Sequence, residues 1–144
     1  MPRKLYNGHQ SYLIILAKFV AIFELCISKR IVRGKDFIIK FPNSYDVFKK
    51  DIKKKVGFAS LNKQEVVLGR KGVSPAYNKT SCLVYDLCRH IRNSFCHMLI
   101  QINEQTNKIY IYDQYRGMST SKGWLLKKDF LNFIKALISD YECD

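Results

Sequence analysis

Leu87-Cys88-Arg89-His90-Ile91-Arg92-Asn93-Ser94-Phe95-Cys96-His97 is the stretch on which the reading of this chain turns. Val84, Leu87, Cys88, Ile91, Phe95 and Met98 fall on one narrow face at about 100° per residue, which predicts an amphipathic helix. Lys79-Thr80-Ser81 supplies its cap. Asp86, Arg89, His90, Asn93 and His97 gather on the opposite, polar side, with Arg92 at the border. The helix therefore buries a hydrophobic stripe and presents the last two of the chain's three histidines beside three strong polar groups.

Arg89, Asn93 and His97 are spaced i, i+4, i+8, a row about 12 Å long. On a regular helix Arg92 lies about 140° round from His97, so one helix cannot aim both at a single phosphate. Either the helix ends near Cys96, or a second copy of the chain supplies the missing direction. The chemistry of the set is clear. Imidazole moves protons near neutral pH. A guanidinium offsets charge on a phosphate in transit. Together with a polar neighbour they suffice to cleave RNA without a metal.

Outward from this helix the period changes. Leu99 to Ile102, a polar turn Asn103 to Asn107, and Lys108 to Asp113 read as a β-hairpin. Tyr115 to Gly123 reads as a Gly/Ser/Thr loop carrying Arg116 and Lys122. Leu125 to Tyr141 closes the chain as a helix with Phe130, Phe133, Ile134, Leu137 and Ile138 inward. Toward the N-terminus, Gln10 to Val32 reads as a helix whose Tyr12 to Ile27 stretch is nearly all apolar, hence a buried central helix and not a membrane span. Arg33-Gly34-Lys35 reads as a turn, and Ser44 as the cap of a basic helix over Tyr45 to Lys55. Gly57 to Gly72 is open: a short helix capped by Asn62, or a strand at Glu65 to Leu68.

Composition narrows the class. The chain has 144 residues, 47% of them hydrophobic, which fits one globular domain spanning 1–144. Lys plus Arg is 25 against 12 acidic residues, a formal +13, which points to a polyanionic partner. Five cysteines without a CxxC pair argue for free thiols in a reducing cytoplasm, not a zinc site. No paired carboxylates flank the motif in sequence, and the nearest acid is Asp86. No metal or other cofactor is expected.

Arg92-Asn93 followed by His97, with the phrase Leu87 to Phe95 before it, resembles the HEPN superfamily. That family's mark is an arginine, four to six intervening residues and a histidine near a helix end, with a polar residue, often asparagine, after the arginine. The hairpin and terminal helix are similar to a subgroup found on plasmids and in defence loci. Two positions depart from the pattern. Met98 stands where family members often have glycine, and Leu99 stands where the adenylate-accepting tyrosine of some toxins stands.

The resemblance implies a mainly α fold: a HEPN-like helical bundle with a small β-hairpin between the motif helix and the C-terminal helix. It implies a homodimer with motif helices facing a shared basic cleft, and a cytoplasmic, metal-independent endoribonuclease of the toxin or antiviral type, with an antitoxin or regulatory partner. Arg92, Asn93 and His97 would be the catalytic set. Arg89, His90, Arg116 and Lys122 would bind RNA. The alternative of a different class is a HEPN domain that binds RNA or a nucleotide, or dimerises, without turnover.

Overall fold

The computed structural model describes residues 10–27, 34–53, 74–75, 83–115 and 118–143. Helix α1 (Gln10–Ile22) continues into a wider π-helical turn, Phe23–Ile27. Helices α2 (Gly34–Lys40) and α3 (Pro42–Val47) follow, and α3 runs into a second π-helical turn, Phe48–Ile52. Strand β1 (Ser74–Pro75) precedes the motif helix α4 (Leu83–Cys96). Strands β2 (Gln101–Asn103), β3 (Lys108–Tyr115) and β4 (Met118–Leu126) lead into α5 (Lys127–Glu142).

The helices enclose an aromatic core. Phe19, Phe37, Phe41, Phe130 and Phe133 are among its largest fully buried side chains, joined by Leu16, Ile27, Ile52, Leu87 and Ile91. Each such side chain contributes about 1.5–3 kcal/mol on leaving water. α3 packs on α5 and is fastened there by a carboxylate. Asp140 of α5 accepts hydrogen bonds from the Asn43 amide (2.7 Å) and the Ser44 backbone N–H (2.9 Å). Ser44 is thus not the cap that the sequence suggests. The helix begins two residues earlier, at Pro42, whose missing N–H costs nothing there. Asp140 satisfies the next donors from across the bundle, and the Ser44 hydroxyl donates to the Phe41 carbonyl oxygen.

The four strands form one antiparallel sheet in the order β1-β4-β3-β2. Gln101 pairs with Tyr110 and Asn103 with Lys108, as the hairpin pattern predicts. The Asn103 side-chain oxygen accepts from the Gln105 and Thr106 N–H groups, and Asn107 takes the left-handed conformation (φ 54°), which asparagine tolerates. Ile109, Ile111 and Leu125 face the helices.

Three sequence expectations need correcting. Met118 to Gly123 is not loop but the first part of β4; its Ser and Thr residues carry no hydrophobic alternation, and pairing with β3 decides their state. Gly34 does not sit in a turn but opens α2. The first helix is not buried all round: Leu16, Phe19, Ile22 and Phe23 face the core, while Ile14 and Leu25 are 60% and 62% exposed. Among the described residues, no helix is long and apolar enough to cross a membrane. The ambiguous Gly57 to Gly72 segment lies outside the described residues.

Candidate active site

Helix α4 lies between the first helix and β3, and its polar residues are held from both sides. Arg92 is half-buried. Its Nε donates to Glu24 Oε1 at 2.6 Å, and Nη1 donates to the Asn93 side-chain oxygen at 2.9 Å. Asn93 Nδ2 donates in turn to Asp113 Oδ2 at 3.1 Å. The same Asp113 oxygen is 2.8 Å from His90 Nδ1. On the far side of that ring, Arg89 Nη2 stands 3.4 Å from His90 Nε2. The result is a continuous chain of polar contacts from Glu24 through Arg92, Asn93, Asp113 and His90 to Arg89.

The contacts fit one state of His90. With Nδ1–H donating to Asp113, Nε2 is left as an acceptor facing the Arg89 guanidinium, which only donates. That is a neutral imidazole in one tautomer. Burial lowers the His90 pKa from the ordinary histidine value; the Asp113 hydrogen bond opposes the shift, and the Arg89 charge adds to it. The ring has no exposed surface. His90, expected to bind RNA, has no surface open to a ligand in this fold. The helical wheel puts it on the polar side, but β3 covers that side at this height, and His90 serves to hold Asp113. Next to it, Ser94 is also buried, and its hydroxyl donates to the Tyr112 carbonyl oxygen.

Glu24 and Asp113 are the residues that sequence reasoning missed. They lie 68 and 20 positions from their partners Arg92 and Asn93. They also place two carboxylates beside a motif whose nearest acid in sequence is Asp86. Each is marked by its local structure. Asp113 continues the inward alternation Ile109, Ile111, so an acid falls on an apolar face. The register shifts directly after Asp113: it pairs with Ser121 and Gln114 with Ser119, which leaves Thr120 of β4 as the extra residue, and such bulges are common beside functional sites. Glu24 sits in the π-helical turn Phe23–Ile27, a distortion that recurs at functional sites.

His97 is exposed and stands just past the helix end. The end is a closed motif. The Met98 N–H bonds to the Phe95 carbonyl (3.1 Å), and the Leu99 N–H bonds to the Ser94 carbonyl (2.7 Å). That pair of bonds is the Schellman cap, with Met98 at the left-handed position (φ 60°). Glycine fits that position without strain, which gives a physical reason for the family's frequent glycine there. Met98 is therefore not part of the helix's buried face, as its spacing suggests, but is 55% exposed. Of the two ways of bringing Arg92 and His97 together, the first holds in part: the helix does end at Cys96.

A sequence model described as HEPN pEK499 p136, a HEPN-family domain from a plasmid-associated protein, matches residues 3–143. The chain belongs to this HEPN family. No curated protein and no solved structure matches it significantly. The mainly helical bundle with its small antiparallel sheet agrees with that membership. This HEPN domain is thereby a module of the nuclease or RNA-binding kind.

Of the remaining expected RNA-binding residues, Arg89 is half-buried against His90. Lys122 lies on β4 opposite Tyr112. Arg116 lies outside the described residues. Cys26 and Cys88 are buried, and Cys96 and Cys143 are exposed.

Proposed function

We propose that this HEPN domain is a metal-independent endoribonuclease. The observation that carries the reading is the braced motif: Arg92 and Asn93 held in line by Glu24 and Asp113, one helical turn before an exposed His97. In the proposed reaction the ribose 2′-oxygen attacks the adjacent phosphorus, an O2′–P bond forms and the P–O5′ bond breaks. His97 takes the 2′-hydroxyl proton or delivers one to the departing 5′-oxygen, and water makes the other transfer. The products carry a 2′,3′-cyclic phosphate and a 5′-hydroxyl. Arg92 contacts the non-bridging oxygens through the N–H groups not turned toward Glu24 and Asn93. Asn93 orients Arg92, and Arg89, Arg116 and Lys122 add phosphate contacts.

The site is composite in this proposal, with a second protomer facing the first across a basic cleft. Exposed Ile14 and Leu25 support this, because Leu25 is the neighbour of Glu24 and gives the first helix an apolar surface beside the motif. A role as a cytoplasmic toxin or antiviral effector, held in check by an antitoxin or regulatory partner, follows from the same reading. The Glu24–Arg92 ion pair favours a second reading, in which the arginine is structural and the domain binds RNA without turnover.

Incubation with RNA in EDTA tests the proposal. Cleavage persists without divalent ions, fails on DNA, and fails on RNA with one 2′-deoxy sugar at the scissile position. His97→Ala lowers the rate by about 10²-fold or more and leaves the fold intact, since the side chain is exposed. Cleavage of the 2′-deoxy substrate, or a strict need for magnesium, refutes the mechanism. Binding without any cleavage leaves the second reading.

A further inference from the structure

The outward face of the sheet carries a set of side chains that the motif does not use. Along β3, Ile109, Ile111 and Asp113 turn inward, so Lys108, Tyr110 and Tyr112 turn outward. Directly opposite residues in an antiparallel pair share a face. Trp124 therefore joins Tyr110 from β4, and Gln101 and Asn103 join from β2. The Tyr110 and Tyr112 rings are parallel, 7° apart in plane, with centroids 6.5 Å apart. Lys108 Nζ lies 4.0 Å from the centre of the Trp124 ring. All four of these side chains are half-buried, with part of each surface open.

We infer that this face is a stacking platform for single-stranded RNA, on which Tyr110, Tyr112 and Trp124 take successive bases and Lys108 takes the adjoining phosphate. Sheet attachment does not require these rings, because Ile109, Ile111 and Leu125 already fasten the opposite face to the helices. Flat aromatic faces next to amides and an ammonium are what unpaired bases stack on and hydrogen-bond to. The formal charge of +13 favours a polyanion over a protein segment as the occupant. The platform is also mechanically joined to the motif. The strand that carries Tyr112 gives its carbonyl to Ser94 and its next side chain, Asp113, to Asn93. Bases held outside β3 thus sit on the strand that braces Arg92.

The inference deepens the ribonuclease proposal by assigning how substrate is held, and it rests on RNA being the ligand. Its test is independent of turnover. The chain has a single tryptophan, Trp124, so tryptophan emission reports this face alone. The His97→Ala protein is titrated with a short oligouridylate. Saturable quenching is expected, weakening as salt rises. Tyr110→Leu and Tyr112→Leu, which keep apolar bulk but lose the π face, each weaken binding by roughly tenfold, whereas the Phe variants bind as the parent does. Binding that leaves the emission unchanged overturns the platform, as does Leu-variant affinity equal to the parent's. Should a Leu variant not fold, the parent's quenching and the Phe variants decide. Quenching by an acidic peptide but not by RNA also overturns it and assigns the face to protein. Quenching without cleavage by the parent sinks the nuclease reading and leaves the platform; cleavage without quenching does the reverse.

Discussion

Removing the carboxylate of Asp113 should loosen the fold and the motif together. Its Oδ2 receives the His90 Nδ1–H at 2.8 Å and the Asn93 amide at 3.1 Å, and the residue is 4% exposed. Hydrogen bonds to a charged acceptor are worth about 1.5–3 kcal/mol each, and stripping one partner from a buried network costs about 3–5 kcal/mol. His90 is neutral, which places the cost at the lower end: about 3 kcal/mol for Asp113→Ala. For a domain of this length that corresponds to a fall in Tm of roughly 10 °C. Asp113→Asn keeps a neutral acceptor, so it should cost only about 1–2 kcal/mol. Urea unfolding followed by circular dichroism, at a pH where the parent is most stable, measures both. At a temperature where Asp113→Ala is fully folded, RNA cleavage should still drop by about tenfold or more, because Arg92 Nη1 leans on an Asn93 that has lost its anchor. An alanine variant within about 1 kcal/mol of the parent would show that the carboxylate does not brace the helix, and the reasoning fails.

Other consequences are equally direct. Arg92→Lys should lose most cleavage while conserving charge, since an ammonium cannot hold Glu24, Asn93 and a phosphate in one plane; full activity in the lysine variant would reduce the residue to bulk charge. Met98→Gly should raise stability by about 1 kcal/mol by relieving the left-handed backbone, read as a higher urea midpoint with an unchanged slope. His90 gives stability a pH dependence whose sign follows from its lowered folded-state pKa. The unfolded chain takes up a proton near pH 6.5 that the folded protein resists. The contribution is therefore complete above that pH and is lost as pH falls from there toward the lowered value. His90→Gln should flatten the stability profile of the parent over this range.

The sequence by itself determined the motif helix, its buried stripe of Val84, Leu87, Cys88 and Ile91, the β2–β3 hairpin and the inward face of α5. It also carried the family. These are features of period and local turn chemistry, and they survive any arrangement of neighbours. Only the tertiary structure decided the state of Met118 to Gly123, where pairing to β3 outweighs a loop-like composition. It decided what satisfies the N-terminus of α3, because the carboxylate that receives the Ser44 N–H is Asp140, 96 residues away. It decided which side of α1 faces water, since an evenly apolar helix contains no instruction about its neighbours. The site divides in the same way. The proposed set Arg92, Asn93 and His97 lies within one short stretch and forms a local pattern. The burial of His90, and the placement of Glu24 and Asp113 against the motif, depend on which elements close over α4. Spacing along one helix fixes only direction around that helix, and not what stands opposite.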